Sequence, residues 1–205
     1  MSLFPMFVKL QGRLVVVVGA GEVAAGKIDG LLKAGAKVRL IAPEVHASLL
    51  EPIRSGKIEW IARKFASGDL ASATLAIAAT SAEGVNAAVY REAEARGILC
   101  NAVDDIENCH FYYGSIVQRG DLQIAISTNG KSPALAQRLR KELEAQFGPE
   151  YELWLEWLGV ARELLRAVEG STESNKQMLH HLASKPMYER FVTESHKEPV
   201  LQGVS

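Results

Sequence analysis

Leu14-Val15-Val16-Val17-Val18 runs without a polar break straight into Gly19-Ala20-Gly21-Glu22-Val23-Ala24, and no other stretch limits the possible folds as much. A strand with one wet face alternates apolar and polar residues. The run Arg13–Val18 does not, so this strand is expected to be covered on both faces, as in a parallel sheet. Glu22–Ala34 then follows a helical period, ended by Gly35. In a strand–turn–helix of this kind Gly19 permits the tight turn, Gly21 lets backbone approach a pyrophosphate, and Ala24 is small enough for the helix to pack on the strand. The helix start offers unpaired N–H groups and its dipole to phosphate oxygens. The order of elements therefore points to a dinucleotide site.

The alternation continues. Lys37–Ile41 reads as a strand stopped by Pro43, Val45–Arg54 as a short helix and Ile58–Arg63 as a third strand. Thr74–Ala79 is a fourth, Ala82–Arg96 a helix ended by Gly97, and Ile98–Val103 a fifth strand. Strands joined by crossover helices predict a parallel sheet with right-handed connections. The pattern then changes: Tyr113–Gln118 and Leu122–Ser127 flank Arg119-Gly120-Asp121, which predicts a hairpin. A helix follows from about Ser132, with Pro133 at its first position and Leu135, Leu139, Leu143 and Phe147 four residues apart. Beyond Gly148-Pro149, helical periodicity covers Glu150–Val168, Lys176–Ala183 and Met187–Thr193, and the polar end is expected to fray. The expected organisation is a parallel-sheet α/β domain over 1–112, a small α+β segment over 113–147 and a helical domain over 148–205.

Composition narrows the function classes. A formal charge of −1 and a pI near 6.5 exclude a general nucleic-acid binder, which carries a basic excess. Cys100 and Cys109 imply no disulfide framework, so a reducing compartment is expected. No apolar run approaches the ~20 residues that span a bilayer, and the N-terminal segment, broken by Pro5 and Lys9, lacks the pattern of a signal peptide. The expected location is the cytoplasm.

Two further groups carry chemistry. An acidic residue is expected at the end of the second strand to bind ribose hydroxyls; Glu44 after Pro43 fits, though it also suits the first turn of the next helix. With no evident pocket for a 2′-phosphate, the cofactor expected is NAD. Lys27, one turn into the first helix, reads as a solvated residue. Asn101-Ala102-Val103-Asp104-Asp105 falls at the carboxyl end of the fifth strand, the edge that faces the ligand crevice in such sheets. A carboxylate there can take a proton from a substrate. Cys100 and Cys109 are not spaced C-x-x-C, no H-x-x-x-H helix occurs, and His180-His181 cannot share a helical face, so no metal site is expected. His110 reads as a structural histidine.

Taken in order, these residues resemble the precorrin-2 dehydrogenase and sirohydrochlorin ferrochelatase family, the N-terminal module of siroheme synthases. The resemblance rests on Phe4-Pro5-Met6-Phe7, Gly19–Ala24 with Lys27, Ala78-Ala79-Thr80 with Val85-Asn86, Cys100–Asp104, Phe111, Ile124–Pro133 and Leu139-Arg140. It covers about residues 3–145. It implies a Rossmann-type domain, a dimerisation segment and a helical C-terminal domain, working as a homodimer. The implied activity is oxidation of precorrin-2 to sirohydrochlorin with NAD⁺, to which some members add Fe²⁺ insertion. The implied catalytic residue is Asp104. The cofactor-binding candidates are Gly19, Gly21, Glu22, Val23, Ala24, Pro43, Glu44 and Thr80. The candidates for holding the acidic tetrapyrrole are Asn101, Ser127, Lys131 and Ser132. The length also leaves no room for the methyltransferase fused to this module in some relatives, so precorrin-2 is expected from a separate enzyme. The competing reading is an NAD(H)-sensing regulatory module without tetrapyrrole chemistry, which leaves Asn101–Asp104 and Ser127–Pro133 without a role.

Overall fold

In the computed structural model the strands β1 (Leu14–Val18), β2 (Lys37–Ile41), β3 (Ile58–Ile61), β4 (Leu75–Ala78) and β5 (Leu99–Ala102) form one sheet, with every pairing parallel and the order β3-β2-β1-β4-β5. Residues 3–169 and 173–195 are described. They belong to two compact units, Met1–Tyr113 and Gly114–Ser205.

The valine run behaves as its composition requires. Val15 and Val17 point into the core beneath α1 (Glu22–Lys33), among Ala24, Ile28 and Leu31. Val16 and Val18 point to the other face, among Val89 and Ala93 of α3 (Val85–Arg96), with Leu70 and Cys100. Successive side chains of a strand leave opposite faces, so only an unbroken apolar run can serve a sheet covered on both. This is a Rossmann-type arrangement. Because α1 and α3 lie on opposite faces, the connections leaving β1 and β4 diverge and open a crevice at the carboxyl edge.

Several boundaries differ from the sequence reading, each for a local reason. The helix expected from Ala82 begins at Val85, because Gly84 sits at φ +72°, a left-handed conformation that a helix cannot include. The segment read as one helix over Val45–Arg54 is a 3₁₀ turn (Ala47–Leu49) followed by α2 (Leu50–Arg54); His46 caps the turn, its Nδ1 accepting from the Ser48 backbone N–H. The fifth strand stops at Ala102, since Asp104 at φ +59° turns the chain away.

The second unit starts with the antiparallel pair β6 (Ser115–Arg119) and β7 (Leu122–Ile126), joined through Gly120-Asp121 with Gly120 at φ +53°. Tight hairpin turns favour glycine at such a position. Helices α4 (Pro133–Gln146), α5 (Glu150–Glu169), α6 (Glu173–Leu182) and α7 (Lys185–Ser195) follow. Arg119 donates to the carbonyls of Glu144 and Phe147, closing the end of α4. Phe147, Tyr151, Trp154 and Tyr188 form an aromatic cluster. Along α4 only Ala136 is buried, and Leu135 is 39% exposed. The fraying expected at the C-terminal end concerns residues that lie largely outside the described ones.

Gly19 is the position where the fold is least tolerant. A Cβ there would lie 2.2 Å from the Ala79 carbonyl oxygen, and its φ is +96°. Gly19→Ala should cost about 3 kcal/mol, a fall in Tm on the order of 10 °C, read by calorimetry; an unchanged Tm would mean that the two loops do not touch in solution.

Candidate active site

The crevice is built from backbone. Gly19 N–H donates to the Ile41 carbonyl at 2.9 Å, and His46 N–H donates to the Ala20 carbonyl at 2.9 Å, so the glycine turn is tied to the exit of β2. On its other side it touches Ala79-Thr80. Asn86 holds that segment from both sides, donating through Nδ2 to the Thr80 carbonyl at 3.1 Å and accepting from the Thr80 N–H at 3.3 Å. The Thr80 hydroxyl accepts from Ala82 N–H. Thr80 is thereby fixed at the crevice, and Asn86, to which sequence reading gave no site role, does the fixing. No spacing rule flags it; an asparagine near a helix start is ordinary.

Gly21 precedes α1 with no side chain capping the helix, and a Cβ built on it meets nothing within 4 Å. The open space before an uncapped helix start fits a pyrophosphate, whose oxygens would take the N–H groups that a capping side chain otherwise takes. Glu22 and Val23 lie exposed on the first turn, whereas Ala24 is fully buried, where it lets the helix pack on the sheet. Pro43 and Glu44 are exposed directly after buried Ala42 at the end of β2.

Beyond β5 the chain doubles back, and Asn101 pairs with Cys109 as an antiparallel bridge. His110 N–H donates to the Cys100 carbonyl at 2.8 Å, and His110 Nδ1 accepts from Cys100 N–H at 3.0 Å. The ring proton therefore sits on Nε2, which is bonded to Glu94, and the ring stacks on Tyr90. Burial pushes the Cys100 thiol up to about 12, with Cys109 adding to the shift. Asn101 is buried, and its amide donates to the Phe111 carbonyl at 2.8 Å and to Cys109 Sγ at 3.4 Å, so it clamps the return segment.

The two neighbouring aspartates separate cleanly. Asp105 accepts from Asn108 Nδ2 at 2.6 Å and is part of the turn. Asp104 is exposed at φ +59°, and among the described residues its carboxylate has no hydrogen-bond or ion-pair partner. Lys27, expected in solvent, is half-buried, its Nζ 3.9 Å from the centroid of the Tyr113 ring. Burial pulls its ammonium below the usual lysine value, while Asp104 and then Cys109 act in the opposite sense. The signal available in the sequence was geometric: helical side chains tilt toward the helix start, which carries Lys27 back toward the crevice.

In the second unit Ser127 Oγ accepts from Asn129 N–H at 3.2 Å, and Ser132 Oγ caps α4 by accepting from Leu135 N–H at 3.2 Å. Both hydroxyls hold the loop's own shape, in which Asn129 and Gly130 are left-handed at φ +53° and +74°. Lys131 is exposed. Among the described residues no three His, Cys, Asp or Glu side chains converge as metal ligands, and no helix is long and apolar enough to cross a membrane.

Comparison with known proteins agrees with this layout. A family model described as "Putative NAD(P)-binding" matches residues 6–115, and one described as "Sirohaem biosynthesis protein central" matches residues 119–146. The chain belongs to the NAD(P)-binding family. The curated proteins it is similar to include siroheme synthases. It is 40% identical to siroheme synthase 1 of Serratia proteamaculans over 82% of this chain and 36% of that protein. It is 34% identical to the siroheme synthase of Mannheimia succiniciproducens over 98% of this chain and 43% of that one. The chain thus spans less than half the length of these curated relatives. Among solved structures, SirC, a precorrin-2 dehydrogenase, is 26% identical with a TM-score of 0.78, covering 96% of this chain and 100% of its own.

Two variants separate the roles at the crevice. Gly21→Val should still fold, with at most a small fall in Tm from the poorer N-cap because its side chain enters open space, but should weaken NAD⁺ binding at least about tenfold by filling the phosphate approach; a melting scan measures the first and calorimetric titration the second. Asn101→Ala should leave the Phe111 carbonyl unpaired and cost about 2 kcal/mol in a denaturant melt.

Proposed function

We propose that the chain is an NAD-dependent dehydrogenase that oxidises precorrin-2 to sirohydrochlorin. The observation that carries this reading is Asp104, a carboxylate without a partner among the described residues, on a left-handed backbone turn at the exit of β5, the crevice edge of an NAD(P)-binding sheet. A non-glycine residue in that conformation is uncommon and clusters at functional sites. The siroheme synthase relatives and the likeness to SirC support the substrate class.

NAD⁺, when bound, accepts a hydride from the tetrapyrrole. The chain's own residues do the rest. The Gly19–Gly21 turn and the start of α1 hold the pyrophosphate, and Glu44 takes ribose hydroxyls. The preference for NAD over its 2′-phosphate form is supported by Arg39, in the middle of β2, and Arg63, just beyond the end of β3. They are engaged by Glu59 at 2.9 Å and by Asp69 at 2.6 Å. Asp104 accepts the proton lost from the substrate as the hydride leaves, so charge and atoms balance. Lys131, on the loop before α4, supplies a positive charge for substrate carboxylates, and Ser127 and Ser132 keep that loop in shape. We place the enzyme in the cytoplasm as a homodimer. The dimer is supported by exposed Leu135 and by Leu153, Trp157, Val160 and Leu164 of α5, an apolar seam with alternating spacings of four and three residues.

The test is direct. The purified chain with precorrin-2 and NAD⁺ should yield NADH together with sirohydrochlorin absorbance, and no NADH above a protein-free control would sink the assignment. NAD⁺ binding without tetrapyrrole binding would favour the sensor reading instead. Asp104→Asn and Asp104→Gly should both lower turnover by about 10²-fold or more while binding NAD⁺ normally. Both should melt no lower than the wild type, since Asn and Gly accept the left-handed conformation. Retained turnover in both would remove Asp104 from the chemistry.

A further inference from the structure

The carbonyl of Ala42 is bonded in a way that the sheet itself does not supply. Where β2 and β3 run side by side, the Ala42 N–H donates to the Ile61 carbonyl at 3.3 Å. In a parallel ladder the next donor to Ala42 is the N–H two residues further along the neighbouring strand, that of Arg63. That N–H turns back to the Ile61 carbonyl instead, at 2.8 Å, so the ladder stops one bond short. Ala42 is buried, and a buried carbonyl left without a donor is costly. The indole of Trp60 supplies the missing donor, its Nε1–H donating to the Ala42 carbonyl at 2.9 Å. Trp60 lies on β3 opposite Leu40, and its half-buried ring packs against the core beneath α1.

This bond sits two residues before Glu44. The peptide after Ala42 leads into Pro43, which has no N–H to anchor it and whose ring fixes φ. On the far side, the His46 N–H donates to the Ala20 carbonyl of the glycine turn at 2.9 Å. Glu44 is therefore carried on a short bridge, Pro43-Glu44-Val45, pinned at one end by the indole and at the other by the glycine turn. With φ of Pro43 fixed, the plane of the Ala42 carbonyl sets the direction in which the chain enters Glu44.

We propose that Trp60 is a positioning residue for the cofactor, whose indole N–H, by holding the Ala42 carbonyl, sets the Glu44 carboxylate against the ribose of the adenosine half. This rests on the reading of Glu44 as the ribose ligand. It assigns Trp60 no contact with cofactor or substrate. It also explains why a tryptophan stands at this place: the core asks only for apolar volume, whereas the carbonyl asks for a donor.

The test is calorimetric titration of the full chain with NAD⁺ and with its analogue lacking the adenosine 2′-hydroxyl, the group that a carboxylate after the second strand bonds. Trp60→Phe keeps a ring and removes the donor. It should weaken NAD⁺ binding about tenfold and binding of the deoxy analogue by less than about twofold, since only the ribose contact is lost. Glu44→Ala should show the same selective loss. The double variant Trp60→Phe/Glu44→Ala should bind no more weakly than Glu44→Ala, because the indole acts through the carboxylate. In turnover the loss should fall on KM for NAD⁺, with kcat within about twofold. Equal losses for the two cofactors in Trp60→Phe would show a merely structural role and overturn the inference. Unchanged NAD⁺ binding, or losses that multiply in the double variant, would do the same. Pro43→Gly leaves the core untouched and frees φ in the bridge, so it should repeat the selective loss. If Trp60→Phe fails to fold, wild-type NAD⁺ binding in Pro43→Gly overturns the inference. Wild-type NAD⁺ binding in Glu44→Ala removes the ribose ligand and the inference with it. The selective pattern in a chain that does not oxidise precorrin-2 supports the inference, and the dehydrogenase reading alone falls.

Discussion

The contact between Gly19 and the Ala79 carbonyl is the constraint on which the crevice depends. β1 and β4 are neighbours in the sheet, and the chain leaves one toward α1 and the other toward α3, on opposite faces. Where the two exits meet there is no room for a Cβ. The absence of a side chain at Gly19 lets the loops close on each other, and the left-handed backbone then turns the start of α1 toward the gap. Tied to β2 on one side and to Ala79-Thr80 on the other, the turn presents its N–H groups from a rigid frame. The phosphate site is thus a product of close backbone packing, with no charged side chain needed to build it.

The opposite edge of the crevice is organised by the need to close an edge strand. β5 ends the sheet, and an open edge invites pairing with another chain. The return segment through Cys109 and His110 covers it, clamped by Asn101 and by the two-way pairing of His110 with Cys100. Reversing the chain within so few residues forces a left-handed turn, and Asp104 occupies it. The same reversal explains which polar groups are free. His110 is held by Cys100 and Glu94, Asp105 by Asn108, and Cys109 Sγ donates to carbonyls of Ala102 and Asp105. Among the described residues the Asp104 carboxylate has no such bond, with the ammonium of Lys27 as its electrostatic neighbour.

In the second unit, helix ends and a hairpin do the organising. Arg119, the last residue of β6, closes the carboxyl end of α4, so hairpin and helix are joined by bonds to backbone carbonyls as well as by apolar contact. Ser132 caps the other end of the same helix, and Thr128 holds the loop before it by bonding Ser132 at both N–H and carbonyl. Lys131 is presented from a loop whose other polar groups are occupied with its own geometry.

The sheet and its order of elements were legible in the chain because burial on both faces demands an unbroken apolar run, and Leu14–Val18 supplies one next to a glycine turn. The hairpin at Gly120 and the helix opening at Pro133 were legible for the same reason: local backbone geometry selects particular residues. Element ends were less so, since Gly84 and Asp104 adopt left-handed conformations that no periodicity announces. At the site, residue type and place in the strand–turn–helix order pointed to Gly19 and Gly21, whereas only the family resemblance singled out Asp104 from its neighbour Asp105. Tertiary structure decided the rest. Side chains such as Asn101, Ser132, His110, Asn86 and Lys27 carry the same polar groups whether they clamp a loop, cap a helix or line a crevice. Only the folded chain, by bringing Phe111 to Asn101 and Tyr113 to Lys27, determines which partner each group finds.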